Sequence, residues 1–161
     1  MKVAILSDSH NQAERLGRLL AICRSEGVDC ILHCGDIEDV PIVSQFTGWN
    51  AHFVFGNCDW DKNGLNAAIA KAGCHLHEGF GHLDLDGITV AFLHGHESSL
   101  LRDLIQSQAY DFLFHGHTHQ RADSLQGKTR VVNPGALHRA DEKSFVIMDT
   151  SKGDLQTIFL D

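Results

Sequence analysis

Hydrophobic residues along this chain fall into short apolar runs separated by segments of helical spacing. Residues 2–7 form a run of the kind shown by a strand covered on both faces. Over residues 11–26, Ala13, Leu16, Leu19, Leu20 and Cys23 recur at helical intervals. Cys30 to Cys34 reads as a second strand, cut off by Gly35-Asp36, and residues 39–47 read as a short helix. His52 to Phe55 is a third strand, ended by Gly56-Asn57. This alternation predicts a sheet that is parallel in its first half.

The second half has a different rhythm. After a helix near 62–72, His75-Leu76-His77 and His82 to Gly87 read as an alternating strand and turn, and Ile88 to Leu93 as a buried strand. Residues 98–109 carry Leu100, Leu101, Leu104 and Ile105 on one helical face, a core stripe. Phe112 to Phe114 runs into Gly116. Residues 122–125, 129–132, 144–149 and 155–160 are short strands with turns at Gln126-Gly127 and Lys152-Gly153, which suggests hairpins and a second, more antiparallel sheet. The expected fold is α/β: two facing mixed sheets flanked by helices, a four-layer αββα sandwich.

A length of 161 residues argues for one domain over 1–161. No apolar run is long enough to span a bilayer, and the N-terminus turns polar too soon for a signal peptide, so the expected location is the cytoplasm. Cys23, Cys30, Cys34, Cys58 and Cys74 are odd in number and lack CxxC spacing, which argues against a disulfide framework or zinc ribbon. The net charge of −8 argues against general nucleic-acid or anionic-membrane binding. It leaves room for a small phosphate ester at a local cluster of metal charge. Twelve histidines are a rich allotment, and their placement decides the reading.

Five predicted strands end in polar motifs, four of them with a glycine: Asp8-Ser9-His10, Gly35-Asp36, Gly56-Asn57, His94-Gly95-His96 and Gly116-His117-Thr118-His119. Open α/β sheets bind ligands beyond the carboxyl ends of their strands, so these segments should converge. Asp8, His10, Asp36, Asn57, His94, His117 and His119 then offer four imidazoles, two carboxylates and one amide oxygen. Such donors suit Mn, Fe, Zn, Ni or Co. Seven ligands are too many for one ion that keeps positions open; shared over two ions through a bridging carboxylate, they leave room for water and substrate. Two ions roughly 3.5–4 Å apart can hold the attacking and leaving oxygens of a phosphoryl displacement, with a shared hydroxide as nucleophile.

In this order Asp8-x-His10, Gly35-Asp36-x-x-Asp39, Gly56-Asn57, His94 and Gly116-His117-x-His119 resemble the calcineurin-like metallophosphoesterase superfamily. Gly56-Asn57-Cys58-Asp59, His94-Gly95-His96 and Asn133-Pro134-Gly135 resemble its small YfcE-type phosphodiesterase branch, related to a retromer subunit. The resemblance implies that Asp8, His10 and His119 hold one metal, that Asn57, His94 and His117 complete the other, and that Asp36 bridges. It implies that Asp39 and Asp59 orient those groups. Relatives in the wider superfamily carry a phosphate-contacting histidine where this chain has Cys58, and often a serine where it has Ala136. A thiol is a poorer proton donor, which favours diesters with good leaving groups. His96 is the candidate for the missing imidazole, so Asp36, Asn57 and His96 form the expected catalytic set, with two divalent transition-metal ions, manganese foremost, as cofactors.

The other histidines carry ordinary expectations. His33 reads as a packed core residue, His52, His82 and His138 as solvated, and His115 as pointing away. His75 and His77 share a strand face, for which plain exposure is favoured over a weak extra metal site. Arg121 and Arg139 follow motif loops, where arginine is usually just solvated. The leading function is a metal-dependent phosphodiesterase acting on a small phosphodiester. A scaffold protein of the same fold and a phosphomonoesterase are the alternatives, and the oligomeric state is left open.

Overall fold

The computed structural model describes residues 1–160. Its first sheet is built by β1 (Lys2–Leu6), β2 (Cys30–His33), β3 (Ala51–Phe53) and β4 (His75–Leu76), all parallel. They are joined through α1 (Ala13–Glu26), α2 (Val40–Val43) with a 3-10 turn at Ser44–Phe46, and α3 (Lys62–Lys71). The second sheet holds β5 (Phe80–Leu85), β6 (Ile88–Leu93), β7 (Phe112–Phe114), β8 (Ala122–Gln126) and β9 (Thr129–Asn133), with α4 (Ser98–Ser107) crossing from β6 to β7. The chain ends in the hairpin β10 (Lys143–Asp149) and β11 (Asp154–Leu160).

Strand order is β11-β10-β1-β2-β3-β4 in the first sheet and β5-β6-β7-β9-β8 in the second. The expectation that the tail belongs to a second, more antiparallel sheet is therefore corrected. β8 and β9 join the second sheet, whereas β10 pairs antiparallel with β1 in the first. The reason is burial on both faces. Phe145 and Ile147 pack on the helix side while Val146 and Met148 face the other sheet, so β10 needs a place between two apolar layers. The segment around 75–87 also divides. β4 is the edge of one sheet and β5 the edge of the other, with β5 turning into β6 at Asp86-Gly87. Both of those residues have positive φ (57° and 86°), the requirement of a tight two-residue hairpin.

Three apolar layers cement four structural ones. Leu16, Leu19, Phe46, Phe53 and Ile69 fill the space between the first sheet and α1–α3. Val3, Ile5, Leu32, Phe92, Phe114 and Met148 fill the space between the sheets. Ala91, Leu93, Leu113 and Val131 meet Leu104, flanked by Leu100, Leu101 and Ile105, which is the stripe read from the sequence. This is the expected two-sheet sandwich. It sets the carboxyl ends of β1, β2, β3, β6 and β7 along one rim. No described helix is long and apolar enough to cross a membrane. Phe53 is wholly buried and meets Phe46 edge-on at 4.9 Å. We expect Phe53→Ala to lower the free energy of unfolding in urea by about 3–5 kcal/mol.

Candidate metal centre

The rim loops are zipped to one another by backbone. The Asp8, His10 and Asn11 N–H groups donate to the carbonyls of Gly35, Asp36 and Ile37, and Gly116 N–H donates to the His94 carbonyl. The turns are sharp enough that Asp8, His10, Asp36, His117 and His119 all have positive φ, between 38° and 70°. Such backbone costs a non-glycine residue roughly 1–2 kcal/mol. Five of the seven residues read from the strand ends therefore sit in strained conformations, a pattern typical of functional sites.

The side chains converge. Asp8 Oδ1 is 3.1 Å from His119 Nε2 and 3.8 Å from His10 Nε2. Asp36 Oδ2 lies between two imidazoles, 3.3 Å from His10 Nε2 and 3.4 Å from His94 Nε2. Asn57 Oδ1 is 3.0 Å from His94 Nε2, and the His117 ring meets the His94 ring edge-on at 5.2 Å. Ligand-type atoms of Asp8, His10 and His119 lie within 4.8 Å of one another, as do those of Asp8, Asp36 and His94. Those of His10, Asp36 and Cys58 form a third such group.

Electrostatics in the cluster are unbalanced without a cation. Asp8 Oδ1 and His10 Nε2 are buried and have no hydrogen-bond partner. His94 Nδ1 faces the Cys34 carbonyl at 2.8 Å, which accepts only, so Nδ1 carries the proton. A neutral His94 would then aim its Nε2 lone pair at the lone pairs of Asn57 Oδ1. A proton on Nε2, or a cation shared by the two groups, removes that opposition. Burial would raise the Asp8 and Asp36 carboxyls, but His10 and His119 hold Asp8 well below the usual range, and His10 and His94 do the same for Asp36. Burial would lower His10, but Asp36 and Asp8 push it up to about 10, and His94 is raised against burial by the same two carboxylates. The donor set thus fits divalent cations, which would take the place of those protons.

Neighbours fix the orientation. Glu38 Oε2 stands 3.3 Å from His10 Nδ1, which leaves Nε2 directed inward. Asp39, expected to orient these groups, caps α2 through the Val40 N–H and accepts from Asn11 Nδ2 at 3.5 Å, while Glu38, with a positive φ of 79°, is the acid that faces His10. Asp59 accepts from the N–H groups of Asp36, Glu38 and Gly56 at 2.7–3.0 Å, tying the second and third loops together. Asn133 donates to the Gly116 carbonyl and to Thr118 Oγ1, both at 3.0 Å, bracing the loop of His117 and His119. His33 is fully buried, as expected of a core residue, but it also joins two of these loops. Its Nδ1 accepts from the Gly35 N–H at 3.2 Å, so Nε2 donates to Ser9 Oγ at 3.0 Å.

Not every reading from the strand ends joins the cluster. His96 stands at the rim, its ring 5.4 Å from His94 and 6.2 Å from His117. Burial and His94 push it below the ordinary imidazole value. His115 bonds back to the Gly116 carbonyl. Arg121 pairs with Glu142 and lies over Phe159. His138, expected to be solvated, is half-buried with its ring 4.9 Å from His10. Its position after the Asn133-Pro134-Gly135 loop was the one available signal.

The chain is similar to known proteins along its length. The model of the calcineurin-like phosphoesterase superfamily domain matches residues 1–153. The phosphodiesterase MJ0936 of Methanocaldococcus jannaschii is 28% identical over 166 residues, covering all of both chains. The structure of an archaeal phosphodiesterase superposes with a TM-score of 0.93 at 27% identity over 99% of this chain and 100% of that one. The YfcE phosphoesterase of E. coli gives 0.73 at 17% identity, and the zinc complex of Vps29 from Entamoeba histolytica 0.68 at 18%; each covers at least 99% of both chains.

Two outcomes test the scaffolding around the cluster. A Cβ on Gly56 would stand 2.0 Å from Asp36 Oδ1, so Gly56→Ala should displace that carboxylate and lower Mn2+ affinity in calorimetry at least tenfold. His33, held down to about 3 mainly by burial, binds a proton in the unfolded chain but not in the folded one. Its contribution is complete above its unfolded value of about 6.5 and is lost as pH falls from there toward 3. His33→Gln should make the pH dependence of urea unfolding shallower across that window; an unchanged slope would show that His33 is not the buried neutral group described.

Proposed function

The chain belongs to the calcineurin-like phosphoesterase superfamily, and from that membership we propose that it is a phosphodiesterase working with two divalent transition-metal ions. The observation that carries this reading is the pair of buried, unpartnered atoms, Asp8 Oδ1 and His10 Nε2, beside an Asp36 oxygen placed between His10 and His94. Full-length likeness to a named phosphodiesterase supports the choice of diester over monoester.

In this reading Asp8, His10 and His119 hold one ion, Asn57, His94 and His117 the other, and Asp36 is shared. The position of Asp36 Oδ2 between His10 and His94 supports that sharing. When bound, a pair of such ions lowers the pKa of water to about neutrality and offsets charge on the phosphoryl oxygens. Glu38 and the Cys34 carbonyl hold the rings of His10 and His94 with their Nε2 atoms inward. The Cys58 N–H donates to Asp36 Oδ1 at 2.8 Å, which fixes the shared carboxylate.

Cys58 takes the position of a proton-donating imidazole. Burial and the carboxylates of Asp36, Glu38 and Asp59 push its thiol up to about 11, so it is neutral near pH 7 and not a nucleophile of the cysteine-hydrolase kind. Burial and His94 push His96 below its ordinary value, and its place at the rim suits a hydrogen bond from its ring N–H to the leaving group. With no strong acid at hand, diesters whose leaving groups depart unprotonated are the preferred substrates. Manganese is the foremost metal, with nickel, iron, zinc and cobalt acceptable to the same donors. Residues 1–161 act as one domain in this scheme.

Hydrolysis of bis(p-nitrophenyl) phosphate should require added Mn2+ and stop on chelation. Asp36→Ala and His117→Ala should each lower kcat/KM at least a hundredfold while circular dichroism stays native. Chelator-treated protein turning over as fast as the loaded form would contradict the proposal.

A further inference from the structure

A second group of histidines lies away from the rim loops. His52 on β3 and His75 on β4 are register partners across the parallel pair, and His77 follows β4, donating its N–H to the Phe53 carbonyl. The His52 and His75 rings are stacked, 4.6 Å apart and 23° from coplanar. His52 Nδ1 and His77 Nε2 face each other at 2.9 Å. The opposite wall is the second sheet. Phe92 meets the His77 ring edge-on at 5.3 Å, and a Cβ on Gly81 would stand 3.0 Å from His77 Cγ. His52 and His77 are half-buried, whereas His75 is exposed. The sequence alone favoured a solvated His52 and plain exposure for the other two; the parallel pairing of β3 with β4 is what assembles them.

Burial, then the neighbouring rings, hold His52 at about 4 and His77 below its ordinary value, so both are neutral near pH 7. Neutral imidazole is the form that binds metals. The spacing also suits an ion. Two nitrogens each about 2.0–2.1 Å from a metal and at right angles around it are about 2.9 Å apart. A cation can replace the shared proton if the donor ring moves that proton to its other nitrogen. Exposed on a two-residue edge strand, His75 is free to leave its stack by a side-chain rotation.

We propose that His52, His75 and His77 form a metal site distinct from the rim cluster, taking one imidazole-preferring divalent ion that accepts ligands at right angles, such as Ni2+ or Cu2+. His52 Nδ1 and His77 Nε2 are its preset ligands and His75 turns in as the third. The ion would pin the short edge strand β4 to β3, where the first sheet has its fewest backbone contacts. No residue of this site belongs to the seven of the rim, so the proposal stands independently of the phosphodiesterase reading.

Calorimetric titration with Ni2+ at pH 7.5 tests it, on the wild type, the His75→Ala/His77→Ala double variant and the conservative His52→Gln variant. The wild type should bind one more equivalent per chain than either variant, with micromolar affinity for that equivalent. Mn2+-dependent turnover of the aryl diester should be the same in all three. Equal stoichiometry in wild type and variants would overturn the site. So would an extra equivalent that binds only at millimolar ion, which is adventitious binding to a surface imidazole. Loss of turnover together with the extra equivalent would overturn its separateness from the rim cluster.

Discussion

Two buried carboxylates, each with one oxygen held by a backbone N–H and the other turned toward imidazoles, are the constraint on which the rim depends. Asp8 and Asp36 carry charge into a region where a lone ion would be costly, and the rings of His10, His94 and His119 offset that cost only if they hold protons or share cations. The structure concentrates backbone strain at the same place, since Asp8, His10, Asp36 and His119 turn with positive φ. Strain of that kind persists where packing over-determines it. Here the surrounding network does so, through Asp59 across three N–H groups, Asn133 under the last loop and His33 between the first two.

The sandwich serves this cluster by stiffness. Each loop that carries a polar group is anchored at a strand end whose neighbours are fully buried on both faces, as Leu6, Cys34, Val54 and Leu93 are. Small changes behind the loops should therefore reach the site. His33 illustrates the coupling: one face stacks on Phe53 in the helix-side core, while its two nitrogens hold Ser9 and the backbone of Gly35. A group that reads as packing is also part of the frame that aims Asp8, His10 and Asp36.

Much of the fold was legible because buried parallel strands and amphipathic helices leave strong periodic marks. The first half follows the alternation of apolar runs, and α4 follows its leucine stripe. The seven rim residues were legible as a group because each ends a strand beside a turn. What sequence did not show depended on tertiary direction. The placement of β10 in the first sheet follows from its two apolar faces meeting different layers, which a short apolar run does not specify. Glu38 rather than Asp39 faces His10, and His52 and His138 lose their solvent to neighbours distant in sequence. Adjacent acids and scattered histidines look alike until the chain is folded.

The dinuclear centre is the central claim, and anomalous diffraction from crystals grown with Mn2+ tests it most directly. Data collected at the manganese edge should show two peaks flanking the Asp36 carboxylate, one bounded by Asp8, His10 and His119 and the other by Asn57, His94 and His117. A single peak, or none within reach of Asp36, would contradict the account.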